Sequence, residues 1–360
     1  MKAPDILRLR LEHQCIARAG FRKPEEVVAW LGALQAQDYL GSLWAIGLRT
    51  RGATESTVEA AEARRAIIRT WPMRGTLHFV AAEDARWMTR LLAPRVIARH
   101  SARWQRDFGV DAKLVGRADE ILTRALEGGR RLTRERLYEL LEAKRIPTGR
   151  SRGLHLLLAL ALRGRLCLAG REGKQHTFAL LEEWVPDGRV LEGDEALAEL
   201  ALRYFGSHGP ATSKDFIWWS GITARQALAA LDGAGTRLTS AEVEGVRYWW
   251  RESGKRSAPR NSASARVHLL PAFDEYTVAY QDRSLLAVGG TKTKMALLSP
   301  AVLLDGRVIG AWKRTLDKKS AVVTTRLSRP LDRAGSAALR GAVESYGVYL
   351  GLAAQLSGRR

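Results

Sequence analysis

Only two cysteines, Cys15 and Cys167, occur in the 360-residue chain, too few for a disulfide framework or a four-thiolate zinc site. No apolar stretch approaches the length of a membrane helix. The most apolar run, residues 154–162, is stopped by Arg163 and Arg165. A secretory leader pattern is missing from the first thirty residues, so the sequence reads as cytoplasmic, reduced and without a membrane partner. The seven histidines are scattered, none beside a cysteine or carboxylate at a ligand spacing, so neither a metal nor any other cofactor is expected. Walker loops, dinucleotide glycine fingerprints, HExxH helices and Gly-x-Ser-x-Gly elbows are absent as well, which excludes the enzyme classes built on them. Acidic residues are the last shortage, 38 against 58 Lys plus Arg, leaving a formal charge of +20. Such a surplus repels itself in a compact chain and fits a polyanionic partner. Nucleic acid is the first candidate, because every neutralised phosphate releases counterions. An anionic membrane surface is the second on charge alone, and it is not the expected partner.

What is present is a loosely repeated unit of helix, polar turn, helix, helix and β-hairpin. The clearest copy runs through a helix at 112–127, the Gly128-Gly129 stop, a helix capped by Thr133, a third helix at 152–163, and strands at 166–168 and 177–179. Another starts with a helix at 194–204, continues through a helix holding Phe216, Trp218 and Trp219, and closes on strands at 236–238 and 246–250. The N-terminal copy has helices at 5–19, 24–34 and 54–64 and a hairpin at 67–71 and 76–80 around Pro72-Met73-Arg74-Gly75. Helix–turn–helix followed by a hairpin is the winged-helix plan. After a Ser/Gly/basic stretch at 253–265, short β-like runs at 267–270, 276–280, 301–304, 307–313 and 321–326 precede a final helix at 332–352. Asp305-Gly306 marks a two-residue hairpin. The expected fold is α+β: winged-helix units at 1–108, 109–185 and 190–252, then a β-barrel with a terminal helix at 262–360.

Arg95, Arg99, Arg103 and Arg106 recur at i, i+4, i+8 and i+11, one stripe of a helix that Pro94 is expected to start. With Asp107 the only acid nearby, these arginines are expected to be free of helix ion pairs and available to phosphates. Lys255 and Arg256 in the basic stretch, and Arg74 at the hairpin tip, are further DNA-binding candidates.

On spacing alone, Gln35 and Gln37 are polar residues past a helix end. Their context changes that. The segments Leu31-Gly32-Ala33-Leu34-Gln35-Ala36-Gln37-Asp38, Arg69-Thr70-Trp71-Pro72-Met73-Arg74-Gly75-Thr76-Leu77-His78, Leu270-Pro271-Ala272-Phe273-Asp274-Glu275-Tyr276 with Asp282-Arg283, and Asp305-Gly306-Arg307-Val308-Ile309-Gly310 follow one another as in the AlkZ/YcaQ family of winged-helix DNA glycosylases. The resemblance covers nearly the whole chain. It implies three tandem winged helices and a C-terminal β-barrel. It also implies that Gln35 and Gln37 are the catalytic Gln-x-Gln pair, on the AlkZ side of the family, whose members remove bulky N7-alkylguanines and interstrand crosslinks, several of them as self-resistance enzymes.

Two amides suit that chemistry. An N7-alkylated guanine is already cationic and leaves as a neutral base, so no strong general acid is needed. There remain a water to place and a developing oxocarbenium ion to stabilise, for which an amide carbonyl supplies an oriented dipole. Asp38 next door is a lesser candidate base, and His78 and Asp274 are without an assigned role. The expected partner is double-stranded DNA carrying alkylated bases, met by a monomer using water alone. A non-catalytic winged-helix regulator would account for the charge and the repeats, but has no need of the glutamine pair.

Overall fold

A computed structural model describes residues 3–252, 266–286 and 298–358. Lys255 and Arg256 lie outside the described residues. Strands β1 (Leu34–Gln35), β2 (Ile67–Met73), β3 (Thr76–Ala81), β4 (Leu132–Thr133), β5 (Leu166–Glu172) and β6 (Gln175–Leu180) form one sheet in the order β1-β3-β2-β5-β6-β4. The first two predicted hairpins therefore share a sheet, joined antiparallel at Arg69↔Leu168. A third hairpin, β7 (Thr239–Val243) and β8 (Val246–Trp250), stands as its own two-stranded sheet.

The C-terminal sheet runs β13 (Ala353–Gly358), β12 (Ser320–Leu327), β11 (Arg307–Leu316), β10 (Ala301–Leu304), β9 (Val267–Leu270). Asp305 and Gly306, at φ of 50° and 81°, make the expected tight turn between β10 and β11. The expected barrel is seen as a curled sheet: among the described residues its outer strands β9 and β13 share no ladder. Leu339, Val343 and Tyr346 of helix Arg333–Leu350 share a core with Leu269, Val302 and Ile309 of this sheet.

Several elements depart from the sequence expectation, each for a local reason. The helix expected over 24–34 is Pro24–Leu31, because Gly32 leaves the helix at φ 76° and releases Ala33, Leu34 and Gln35 into extended chain. Pro94 lies inside helix Ala85–Phe108 rather than at its start. An interior proline costs about 3 kcal/mol, which the burial of Trp87, Met88, Leu92, Ala93 and Val96 on either side of it offsets. The expected strand at 276–280 is instead the short helix Glu275–Val278, capped by Asp274, which accepts from Tyr276 N at 3.0 Å. Helix Tyr39–Arg49 had no clear sequence signature. Its N-cap is Asp38, whose Oδ1 accepts from Gly41 N at 3.2 Å.

Candidate active site

The Gln-x-Gln segment is an edge strand held from several sides. Ala33 is buried in the core formed with helices Gly193–His208 and Ser213–Ser220, whereas Leu34 and Ala36 are buried in the core shared with the C-terminal sheet. Along β1, Leu34 pairs with Phe79 and Gln35 with His78, and Ala36 N donates to Leu77 O at 2.8 Å. The Arg69 guanidinium grips the Ala36 carbonyl from Nε at 3.0 Å and from its second nitrogen at 2.7 Å. On the open edge of β1, Gln35 N donates to Oε1 of Glu275 at 2.8 Å. The backbone is thus fixed while both glutamine amides stay uncommitted: no hydrogen bond joins either side chain to the described residues.

Gln35 lines a cavity of about 670 Å³. Its lining combines the cations Arg74, Arg95, Arg99, Lys214 and Arg283 with apolar side chains, Trp218 and Phe273 among them; among the described residues that line it there is no carboxylate. Gln37 is exposed two residues further on, outside the lining. Asp38 is also exposed and is committed to capping the following helix, which weakens it as a base. Two other hollows, of about 400 Å³ beside Pro94 and about 950 Å³ over Trp312, contain neither glutamine.

Arg74 sits at φ 55° in the β2–β3 turn and reaches into this cavity. Its guanidinium donates to the Trp218 carbonyl at 3.4 Å and to His78 Nε2 at 3.1 Å. His78 is fully buried, and burial together with the charge of Arg74 pulls its pKa down to about 4. It is neutral at physiological pH, with Nδ1–H donating to Thr76 O at 2.9 Å and Nε2 accepting from Arg74. His78 thus holds the Arg74 guanidinium as a neutral hydrogen-bond acceptor.

The predicted arginine stripe divides. Arg95 and Arg99 face the cavity, while Arg103 and Arg106 both engage Asp107, at 3.2 and 2.9 Å. The expectation that the stripe is free of ion pairs fails there, because the acid follows both arginines within one helical turn. These pairs are exposed and worth little.

Asp274, unassigned from sequence, is structural. It forms a bidentate pair with Arg49 at 2.8 and 2.9 Å, both side chains fully enclosed. Sequence reasoning missed Glu275, Trp218 and Lys214. Glu275 was visible only as part of the Phe273-Asp274-Glu275-Tyr276 corner. Phe273, at φ 60°, holds that corner in a conformation that favours glycine and borders the cavity.

The chain was compared with known proteins. The family model described as DNA glycosylase AlkZ-like matches residues 28–349. An interstrand DNA cross-link repair glycosylase of Streptomyces sahachiroi is 28% identical over 324 residues, covering 86% of this chain and 87% of that protein. The solved structure of Streptomyces sahachiroi DNA glycosylase AlkZ superposes with a TM-score of 0.80 at 23% identity, over 99% of this chain and 100% of that one. Among the described residues no helix is long and apolar enough to cross a membrane. With a family model spanning nearly its whole length, the chain belongs to the AlkZ-like DNA glycosylases, hydrolases of N-glycosyl bonds in DNA.

Proposed function

We propose that this glycosylase excises N7-alkylguanines, including bulky adducts and interstrand crosslinks, with Gln35 and Gln37 as its catalytic pair. The observation that carries this is an uncommitted Gln35 amide on the wall of a cavity lined by five cations. The cations receive phosphates on either side of the lesion, and the Gln35 dipole faces the sugar. Gln37, at the exposed end of the segment, holds the attacking water or the adjacent phosphate. The base leaves neutral, so no carboxylic acid is required among the described residues of the lining. The relative named for cross-link repair supports the larger substrates. So does the cavity volume, which falls in the range that encloses drug-sized ligands. We read residues 1–108, 109–185 and 190–252 as three winged-helix units and the working form as a monomer that needs no cofactor. The test is incubation with duplex DNA bearing one N7-methylguanine, then alkaline cleavage at abasic sites. No cleavage above an undamaged duplex would refute the assignment.

Two further outcomes follow from the walls. Replacing Arg95 and Arg99 together by Ala should weaken binding to all sequences alike and lower the slope of log K against log salt by about two. An unchanged slope would remove both residues from the DNA path. Trp218 is 46% exposed, yet its indole Nε1 donates to Val278 O at 3.0 Å, which makes it a fixed aromatic face on the cavity. Stacking on such a face is worth about 1–3 kcal/mol, so Trp218→Ala should slow release of an N7-benzylguanine about tenfold or more and leave N7-methylguanine release nearly unchanged. Equal effects on both adducts would show that the ring is not a stacking platform.

A further inference from the structure

Breaking the glycosidic bond builds positive charge on the sugar, yet among the described residues the cavity lining presents five cations, no carboxylate and a neutral amide. The field of those cations attracts phosphate and opposes an oxocarbenium ion. A buried carboxylate is bonded to the backbone of that same glutamine. Glu275 is fully enclosed, and its two oxygens are both engaged. Oε1 accepts from Gln35 N at 2.8 Å, while Oε2 accepts from Trp219 Nε1 at 2.9 Å and from His208 Nε2 at 3.3 Å. Burial pushes its pKa up, but the hydrogen bond and the charge of His208 outweigh this, with a smaller pull from Arg74, and hold it below the usual carboxylate range. Three N–H donors on its two oxygens favour the ionised form.

The placement follows from strand geometry. Ala36 N–H points toward β3, where it meets Leu77 O, so Gln35 N–H points to the opposite, open edge of β1. An unpaired edge N–H in a dry site costs free energy unless it finds an acceptor. Glu275 is that acceptor, and it comes from a corner that is itself locked. Asp274 caps the helix that Glu275 begins and is clamped by Arg49. The carboxylate therefore cannot follow a displaced Gln35. It sets where the strand edge lies, and its charge is one hydrogen bond away from the Gln35 peptide unit.

We propose that Glu275 is a positioning residue of the active site: it fixes the Gln35 backbone and supplies the negative charge that the Gln-x-Gln pair lacks. This rests on the catalytic assignment of Gln35 above. The carboxylate is fully enclosed by protein and acts through Gln35.

The experiment is single-turnover release of N7-methylguanine from duplex DNA by wild type, Glu275→Gln, Glu275→Asp, Gln35→Ala and the Gln35→Ala/Glu275→Gln double variant, with DNA affinity and melting temperature in parallel. Glu275→Gln keeps an oxygen for Gln35 N and removes the charge. Its NH₂ then faces Trp219 Nε1, so some loss of melting temperature is expected, and the rate is read on folded protein at matched DNA affinity. It is expected to lower the single-turnover rate about ten- to a hundredfold with DNA affinity within about twofold of wild type. Glu275→Asp keeps the charge, drawn back by one methylene, and should fall between the two. In the Gln35→Ala background the same Glu275→Gln change should cost about threefold or less, because the two residues act as one unit. A residue that merely held the fold together would lower affinity along with melting temperature and would slow both backgrounds equally. Wild-type rates in Glu275→Gln or Glu275→Asp, or an undiminished loss in the Gln35→Ala background, would overturn the inference while leaving the glycosylase assignment standing. Wild-type excision by Gln35→Ala would instead overturn the assignment of Gln35, and this inference with it.

Discussion

Gln35→Ala should slow single-turnover excision of N7-methylguanine by about a hundred- to a thousandfold, the usual loss when one preorganised dipole at a developing charge is removed. Melting temperature and DNA affinity should stay near wild type. The amide makes no hydrogen bond to the described residues, and the strand is held by its backbone, so truncation at Cβ leaves no orphaned partner. Gln37→Ala should behave alike, and the double variant should be little worse than the worse single one, since groups that share one water fail together. Gln37→Glu separates two ways of working. If Gln37 faces the sugar, a carboxylate preserves part of the rate. If its NH₂ holds a phosphate, the added charge also weakens binding. Wild-type rates in both alanine variants would show that the chemistry lies elsewhere.

The second large effect is on stability. Asp274→Ala should cost about 3–5 kcal/mol, the range for breaking a buried ion pair by deleting one partner. The reason is the completeness of the arrangement around Arg49. All five of its N–H donors are spent: on Asp274 twice, on the Gln14 carbonyl and side-chain oxygen at 2.9 and 3.2 Å, and on Ala45 O at 2.8 Å. Removing the carboxylate strands a guanidinium that is fully shielded from solvent. Replacing both partners by apolar residues of similar size should be far milder, because no charge is then left without a partner. Urea unfolding of the two constructions, monitored by tryptophan fluorescence, decides the matter. Equal stability of Asp274→Ala and wild type would contradict it.

Much of this architecture is legible from sequence, for physical reasons. The hairpins at 67–81 and 301–316 announce themselves through short turns, Pro72-Met73-Arg74-Gly75 and Asp305-Gly306, and through strand-like apolar runs on either side. The helix Ala112–Leu126 has a capping Asp111 and one clean apolar face. Helix Tyr39–Arg49 is obscure because tertiary packing has overridden propensity. Gly41 and Gly47 lower its intrinsic helicity, yet a Cβ on Gly47 would come within 2.3 Å of the Tyr349 ring, so the glycine is needed for close approach of the C-terminal helix. Pro94 misleads in the same way, since its cost is met by flanking core residues that no local rule weighs. At the site, the Gln-x-Gln element is legible as a motif. Nothing in its spacing reveals that Gln35 lines the cavity while Gln37 stands outside it. Glu275 and Trp218 escape notice because their significance is purely spatial: each comes from a distant segment, and a carboxylate or an indole in isolation looks like ordinary surface or core.

One consequence of the Gln35–Glu275 contact concerns the making of the protein rather than its chemistry. The donor and acceptor are 240 residues apart. A chain emerging from the ribosome exposes both glutamines, the first two hairpins and most of the cationic wall long before Glu275 is synthesised, and contacts of such sequence separation close late. On the proposed assignment of Gln35, the phosphate-binding side chains are therefore made well before the contact that fixes the strand, and competence to release bases comes only with the last quarter of translation.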